Sequence, residues 1–216
     1  MIEINDVKIK FNELAINYPN ITIKEGQLAL ICADSGKGKS TLCEIMAGFL
    51  YAESGDIFYQ KQLIQDCTKR VKNLNVFNYV HYLSQFPDFN LIGPTCVSEL
   101  LFWRYNQDDS VNTLKDIKLT MSYFNLIENN EDMSILDKPV WKLSFGKKKA
   151  LAFCVLMLIN RPVWVLDEPF AGLDKFLKEK FKSCMKDFLL NKGIILATSH
   201  NAYDYKDFNP TIYYLR

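Results

Sequence analysis

A lysine set among glycines in ADSGKGKST (33–41) and a carboxylate pair in VWVLDEP (163–169) are the parts of this chain best suited to chemistry. Gly38, Lys39 and Ser40 close the phosphate-loop pattern G-x-x-x-x-G-K-[ST], with Ala33 at its first glycine. The stretch stands between a strand pattern, QLALICA, and a helix pattern, TLCEIMAGF, which is the setting such a loop needs. Backbone N–H groups along Ala33, Asp34, Ser35, Gly36, Lys37 and Gly38, and at the helix start through Ser40 and Thr41, then face anionic phosphates. Lys39 falls on the β- and γ-phosphates, and the Ser40 hydroxyl on Mg2+. The other reading of these residues is a tight strand-to-helix turn capped by Ser40.

The apolar run VWVL puts Asp167 and Glu168 at the end of a buried strand, where open α/β sheets hold their ligands. Asp167 suits a metal-holding role. Glu168, one residue on, suits taking a proton from an attacking water or orienting it. Taken alone, the piece reads equally as an ordinary strand end turning at Pro169. A third run, IILATS, ends at His200, one of only two histidines. Its strand-end position favours a reach toward the γ-phosphate, although a lone histidine more often serves as a structural hydrogen-bonder. His81, inside a strand pattern, takes the structural reading.

These residues need a scaffold that brings strand ends together. QLALICA (27–33), NYVHYLS (78–84), VWVLDE (163–168) and IILATS (194–199) are apolar on successive residues, the mark of strands covered on both faces of a parallel sheet. Helical patterns lie between them. STLCEIMAGFL follows the loop, and DKFLKEKFKSCMKDFLL sets Phe176, Leu177, Phe181, Cys184, Met185, Phe188 and Leu189 on one face, with Gly193 past its end. The alternation predicts α/β with crossover helices. IEINDVKIKF, ITIK and DIFYQ predict a small antiparallel layer beside the main sheet. From about 86 to 142 the patterns are helical (CVSELLFWRYN; SVNTLKDIKLTMSYFNLI), which predicts a helical insertion.

Composition narrows the partners. The 26 basic and 25 acidic side chains leave a formal charge of +1, which gives no electrostatic argument for nucleic acid or an anionic membrane surface. The six cysteines show no C-x-x-C spacing and read as small apolar residues. MIEINDVKIK carries charges where a signal peptide needs an apolar run, so secretion is not expected. ALAFCVLMLI (150–159) is too short to span a bilayer and predicts a buried helix. A guanine-reading [NT]-K-x-D is missing, since NKG at Asn191 stops short, which disfavours a GTPase.

In this order the pieces resemble the ATP-binding-cassette (ABC) family of transport ATPases over essentially the whole chain. Gln85 in YLSQFP is similar to the family's Q-loop, and LSFGKKKALAF (143–153) to its LSGGQ signature opening a helix. VWVLDEPFAGLD is similar to the second nucleotide motif with its D-loop, Ala171 to Asp174, and His200 to the switch histidine. The tract LSQFPDFNLIGPTCVSELLF resembles the ATPases of energy-coupling-factor vitamin and metal importers.

The resemblance implies one P-loop NTPase domain over 1–216, with a mainly parallel core and β layer (1–85 and 143–216) and an inserted helical subdomain (86–142). It implies ATP and Mg2+ as ligands, with Ser40, Gln85 and Asp167 about the metal. Ser144 and Gly146 would offer a positive helix end to ATP held by a facing subunit in a head-to-tail dimer, and Asp174 joins them. Phe11 takes about the position of the adenine-stacking aromatic, with Tyr18 as competitor. The insertion would receive a coupling helix of a polytopic membrane subunit, which places the chain on the inner face of the membrane, powering uptake of a small nutrient, vitamin or metal ion.

The signature departs from the family pattern: Phe145 replaces its first glycine, Lys147 its glutamine, and Ala150 stands where a basic residue is common. Ala33 and the LSFGK signature motivate a second expectation, a nucleotide-binding but weakly hydrolytic partner in a heterodimer. ABC proteins acting on DNA or ribosomes bring coiled coils or tandem cassettes, which this chain lacks.

Overall fold

The computed structural model describes residues 1–11, 14–66, 71–72, 76–105, 113–127, 134–159 and 161–215. Along the chain come β1 (Ile2–Phe11), β2 (Leu14–Asn17), β3 (Ile21–Ile23), β4 (Leu28–Cys32), α1 (Lys39–Met46), β5 (Ser54–Tyr59), β6 (Gln62–Asp66) and β7 (Val71–Lys72). Then follow α2 (Val76–Tyr79), β8 (Val80–Leu83), α3 (Cys96–Tyr105), α4 (Thr113–Tyr123) and α5 (Phe145–Leu158). The last elements are β9 (Val163–Asp167), α6 (Lys175–Leu190), β10 (Ile194–Ser199) and β11 (Thr211–Tyr214).

Two compact units result, and the first holds Met1–Gln85, Arg161–Pro169 and Met185–Arg216. Its main sheet has five strands in the order β11-β4-β10-β9-β8. Every neighbouring pair is parallel. All the carboxyl ends therefore share one edge. The four apolar runs form four of these strands, and each residue of β4, β9 and β10 is buried. β11 is the strand the sequence hides. Its residues TIYY lie at the sheet edge and are mostly exposed, so they need no continuous apolar run.

A second, antiparallel sheet runs β2-β1-β5-β6-β7, with β3 also on β1. Alternate residues of the parallel strands (Ala29 and Ile31, Val163 and Val165, Ile194 and Leu196) share a core with Ile2, Ile4, Ile21 and Ile57 of this sheet and Leu42, Ile45 and Met46 of α1. Burying each such aliphatic side chain is worth about 1.5–3 kcal/mol. Other strand residues face the opposite way and find separate cover: Trp164 stacks on Phe188 at 3.8 Å between ring centres, 5° from parallel.

The second unit holds Phe86–Asn160 and Phe170–Cys184. It is wider than the expected 86–142 insertion. α5 is buried almost continuously from Lys149 to Leu156 and packs on α3 and α4, so the apolar run at 150–159 serves this unit. Phe153 stacks on Phe181 at 3.7 Å between centres, and Phe124 meets Phe181 edge-on at 5.2 Å. The fully buried Glu99 accepts from the backbone N–H groups of Ile92 (2.8 Å) and Gly93 and from the Trp103 indole (2.7 Å), which offsets the cost of burying its charge. Cys32, Cys43, Cys96, Cys154 and Cys184 are buried and form no disulfide, and Cys67 lies outside the described residues.

His81 is buried in β8. Burial, helped by the Arg161 charge, lowers its pKa to about 3. The unfolded chain, titrating near 6.5, binds the proton first, so stability falls as pH drops from about 6.5 toward 3. At pH 5 this group's share of the loss is about 2 kcal/mol. Urea unfolding at pH 7 and pH 5 should show the native chain losing about that much more than His81→Leu. Equal losses would mean that His81 titrates normally.

Candidate phosphate and catalytic site

β4 ends at Cys32, and the chain turns through residues 33–38 into α1. Gly38 is the N-cap of α1, at φ 86°, and the helix start carries no side-chain cap. The turn capped by Ser40 is therefore not what forms: Ser40 already lies inside α1 and lines the cleft instead. A Cβ at residue 38 would sit 2.6 Å from Ile16 Cδ1 and 2.9 Å from the Tyr18 hydroxyl, so glycine is needed for space as well as conformation. Lys39 curls back to donate to the carbonyls of Ala33 (2.8 Å) and Asp34 (3.0 Å). Ala33 thus takes part through its backbone, where a methyl group is no obstacle.

The strand register assembles the rest. β9 and β10 pair so that Thr198 stands beside Asp167. The Thr198 hydroxyl donates to Asp167 Oδ1 at 2.6 Å and accepts from the Glu168 N–H at 3.1 Å. Glu168 has φ 44°, an uncommon conformation for a non-glycine residue and a strained one directly before a proline. Its Oε1 lies 3.1 Å from His200 Nδ1 and 3.8 Å from Lys39 Nζ.

A cleft of about 630 Å³ is lined by Ile16, Asp34, Ser35, Gly36, Gly38, Lys39, Ser40, Thr41, Gln85, Glu168 and His200. That size suits a small-molecule ligand. Asp167 sits behind the lining, 2% exposed. Lys37 lines a neighbouring cavity with Tyr18 and Tyr214. The Phe11 side chain lies outside the described residues. Tyr18, its competitor for the base, is buried and absent from the cleft wall, with its hydroxyl on the Gly38 carbonyl at 2.9 Å.

The second unit has its own cluster. Ser144 caps α5, accepting from the Lys147 N–H at 3.4 Å, and Asp174 Oδ1 accepts from the Leu177 N–H at 2.8 Å at the start of α6. Ser144, Gly146, Lys147, Gly172 and Asp174 share a cavity of about 400 Å³. The three lysines of the signature part company. Lys147 is exposed, Lys148 pairs with Asp88, and Lys149 is fully buried with Nζ 3.1 Å from the Ala171 carbonyl. Lys149 also lies 5.4 Å from the Phe145 ring centre. That ring occupies the space over Gly172, whose added Cβ would meet it at 2.8 Å. Thr198 and the Tyr18 hydroxyl carry no motif and escaped the sequence reading, and the burial of Lys149 within the signature run gave no sign in the sequence.

The family profile described as "ABC transporter" matches residues 16–171. The cytochrome c biogenesis ATP-binding export protein CcmA of Reclinomonas americana is 28% identical over 203 residues, covering 91% of this chain and 82% of the relative. The energy-coupling factor transporter ATP-binding protein EcfA2 of Clostridium acetobutylicum is 30% identical over 201 residues, covering 90% of this chain and 66% of the relative. A bacterial ABC transporter cassette solved as a dimer superposes with a TM-score of 0.80 at 20% identity, covering 100% of this chain and 94% of that one. That last likeness is one of fold.

Thr198→Val keeps the shape and removes both hydrogen bonds of the strand-end pair. Losing a bond to a buried carboxylate costs about 1.5–3 kcal/mol. Urea unfolding should show a loss of that order, with nucleotide turnover falling alongside. A variant as stable and as active as the native chain would take Thr198 out of the site.

Proposed function

This chain belongs to the ABC transporter family and is an ATPase, and from that premise we propose that it hydrolyses Mg2+-ATP to power a polytopic membrane subunit. One observation carries the chemistry: the Glu168 carboxylate stands 3.1 Å from His200 and 3.8 Å from Lys39 in a cleft walled by the phosphate loop. Lys39 and the uncapped amides of α1 hold the phosphates. Glu168 takes a proton from the attacking water, and His200 orients that carboxylate. Ser40, Gln85 and Asp167 offer a hydroxyl, an amide oxygen and a carboxylate, the hard oxygen donors that suit Mg2+. The ion, when bound, neutralises charge on the β- and γ-phosphate oxygens.

A second cassette completes the site. Support comes from the α5 start, where Ser144 and Gly146 open a helix end onto a cavity able to face a phosphate. Among the described residues no helix is long and apolar enough to cross a membrane. On this reading the polytopic partner holds the chain at the cytoplasmic face of the membrane. Uptake of a small nutrient, vitamin or metal ion is the transport we favour, supported by the energy-coupling-factor relative. The cytochrome c biogenesis relative is named for export and supports only the coarser reading.

The Phe145 ring over Gly172 favours a second reading, in which this signature serves its facing site poorly within a heterodimer. Co-purification from membranes under mild detergent identifies both partners.

Glu168→Gln should lower turnover of the membrane-assembled complex by about two to four orders of magnitude while ATP still binds and holds the cassettes together. Undiminished turnover would remove Glu168 from the proton-taking role. In the same assembly, Phe145→Gly with Lys147→Gln should raise turnover severalfold if the second reading holds. No change would count against it.

A further inference from the structure

The N-cap of α1 is a glycine, so no side chain of its own fixes the Gly38–Lys39 peptide. The bond that does so comes from another sheet. Tyr18 follows β2, is 5% exposed, and is anchored by its own N–H on the Val7 carbonyl of β1 at 2.9 Å. Its hydroxyl donates to the Gly38 carbonyl at 2.9 Å. The same carbonyl accepts from the Leu42 N–H at 3.0 Å, so it is pinned by the first turn of α1 and by the antiparallel layer together. In a planar trans peptide the carbonyl and the following N–H point in opposite directions. Drawing the Gly38 carbonyl toward α1 and Tyr18 therefore turns the Lys39 N–H outward from the helix start, the direction from which phosphates bind.

We propose that Tyr18 is a positioning residue for the phosphate loop: it holds the Gly38–Lys39 peptide so that the Lys39 N–H meets the β-phosphate of the nucleotide. The proposal rests on the reading of the cleft as an ATP site. Ile16 makes the arrangement tight, since its Cδ1 would lie 2.6 Å from any Cβ at residue 38. The peptide is held from the side of the antiparallel sheet by a side chain and a hydrogen bond. Burial of the phenol raises its pKa, so the hydroxyl remains a donor at any working pH. The family resemblance offered Tyr18 as a competitor for stacking on the base. Its contact is with the loop that takes the phosphates.

Tyr18→Phe removes one oxygen and keeps the buried ring, so the fold is preserved. The measurements are dissociation constants for Mg2+-ATP, Mg2+-ADP and AMP, with urea unfolding of the nucleotide-free protein. Positioning predicts ATP and ADP binding weakened by about two- to tenfold, the range one net hydrogen bond supplies. AMP, which lacks the β-phosphate, should bind as before. Unchanged ATP and ADP affinity beside a lowered unfolding midpoint overturns the proposal in favour of plain packing. An equal weakening of all three nucleotides overturns it as well, since that marks general damage. Should the native chain bind no ATP, the reading of the cleft fails first, and this proposal with it.

Discussion

The pairing of β9 with β10 is the constraint on which the site depends. In a parallel sheet the register decides which residues stand side by side at the carboxyl edge, and here it sets Thr198 against Asp167. A slip of one residue would turn every side chain of a strand to the other face and send Asp167 and Thr198 apart. Core residues on both faces of β9 and β10 forbid that slip, because each strand is buried throughout. Packing far from the chemistry thus decides where the carboxylates point. Glu168 is one step past the ladder and His200 one step past its neighbour, so the same register brings them within 3.1 Å.

Much of this was legible in residue order. The apolar runs announced parallel strands since consecutive burial has few other meanings, and ligands in such sheets gather at the carboxyl ends. Lys39, Glu168 and His200, read one by one from local context, and Gln85, singled out by the family resemblance, line one cleft. What stayed hidden is what depends on partners distant in sequence. β11 is an exposed edge strand whose membership shows only once β4 is in place. The resemblance put Tyr18 forward as a candidate surface for the base, and a residue's place in the sequence carries no information about which way its ring turns. Thr198 is one more small polar residue in IILATS until the register supplies Asp167.

The lysine run KKK in the signature shows the same limit on a smaller scale. Three identical neighbours on a helix point 100° apart, so they meet three different environments. One reaches solvent, one pairs with Asp88, and one is buried beside an aromatic ring and a carbonyl. Burial of an ammonium is tolerated only where a carbonyl and a ring face replace its water. Charge counted along a sequence says little about such a segment.

Glu168 at φ 44° is a cost written into the fold. A left-handed glutamate ahead of a proline gives up on the order of 1–3 kcal/mol that an asparagine or a glycine there would partly recover. Selection for stability alone would therefore erode this position early, replacing a strained carboxylate with a relaxed and chemically silent residue. Variants of this chain bred for hardiness would tend to lose the carboxylate at residue 168 while leaving the loop, the sheet and the core intact.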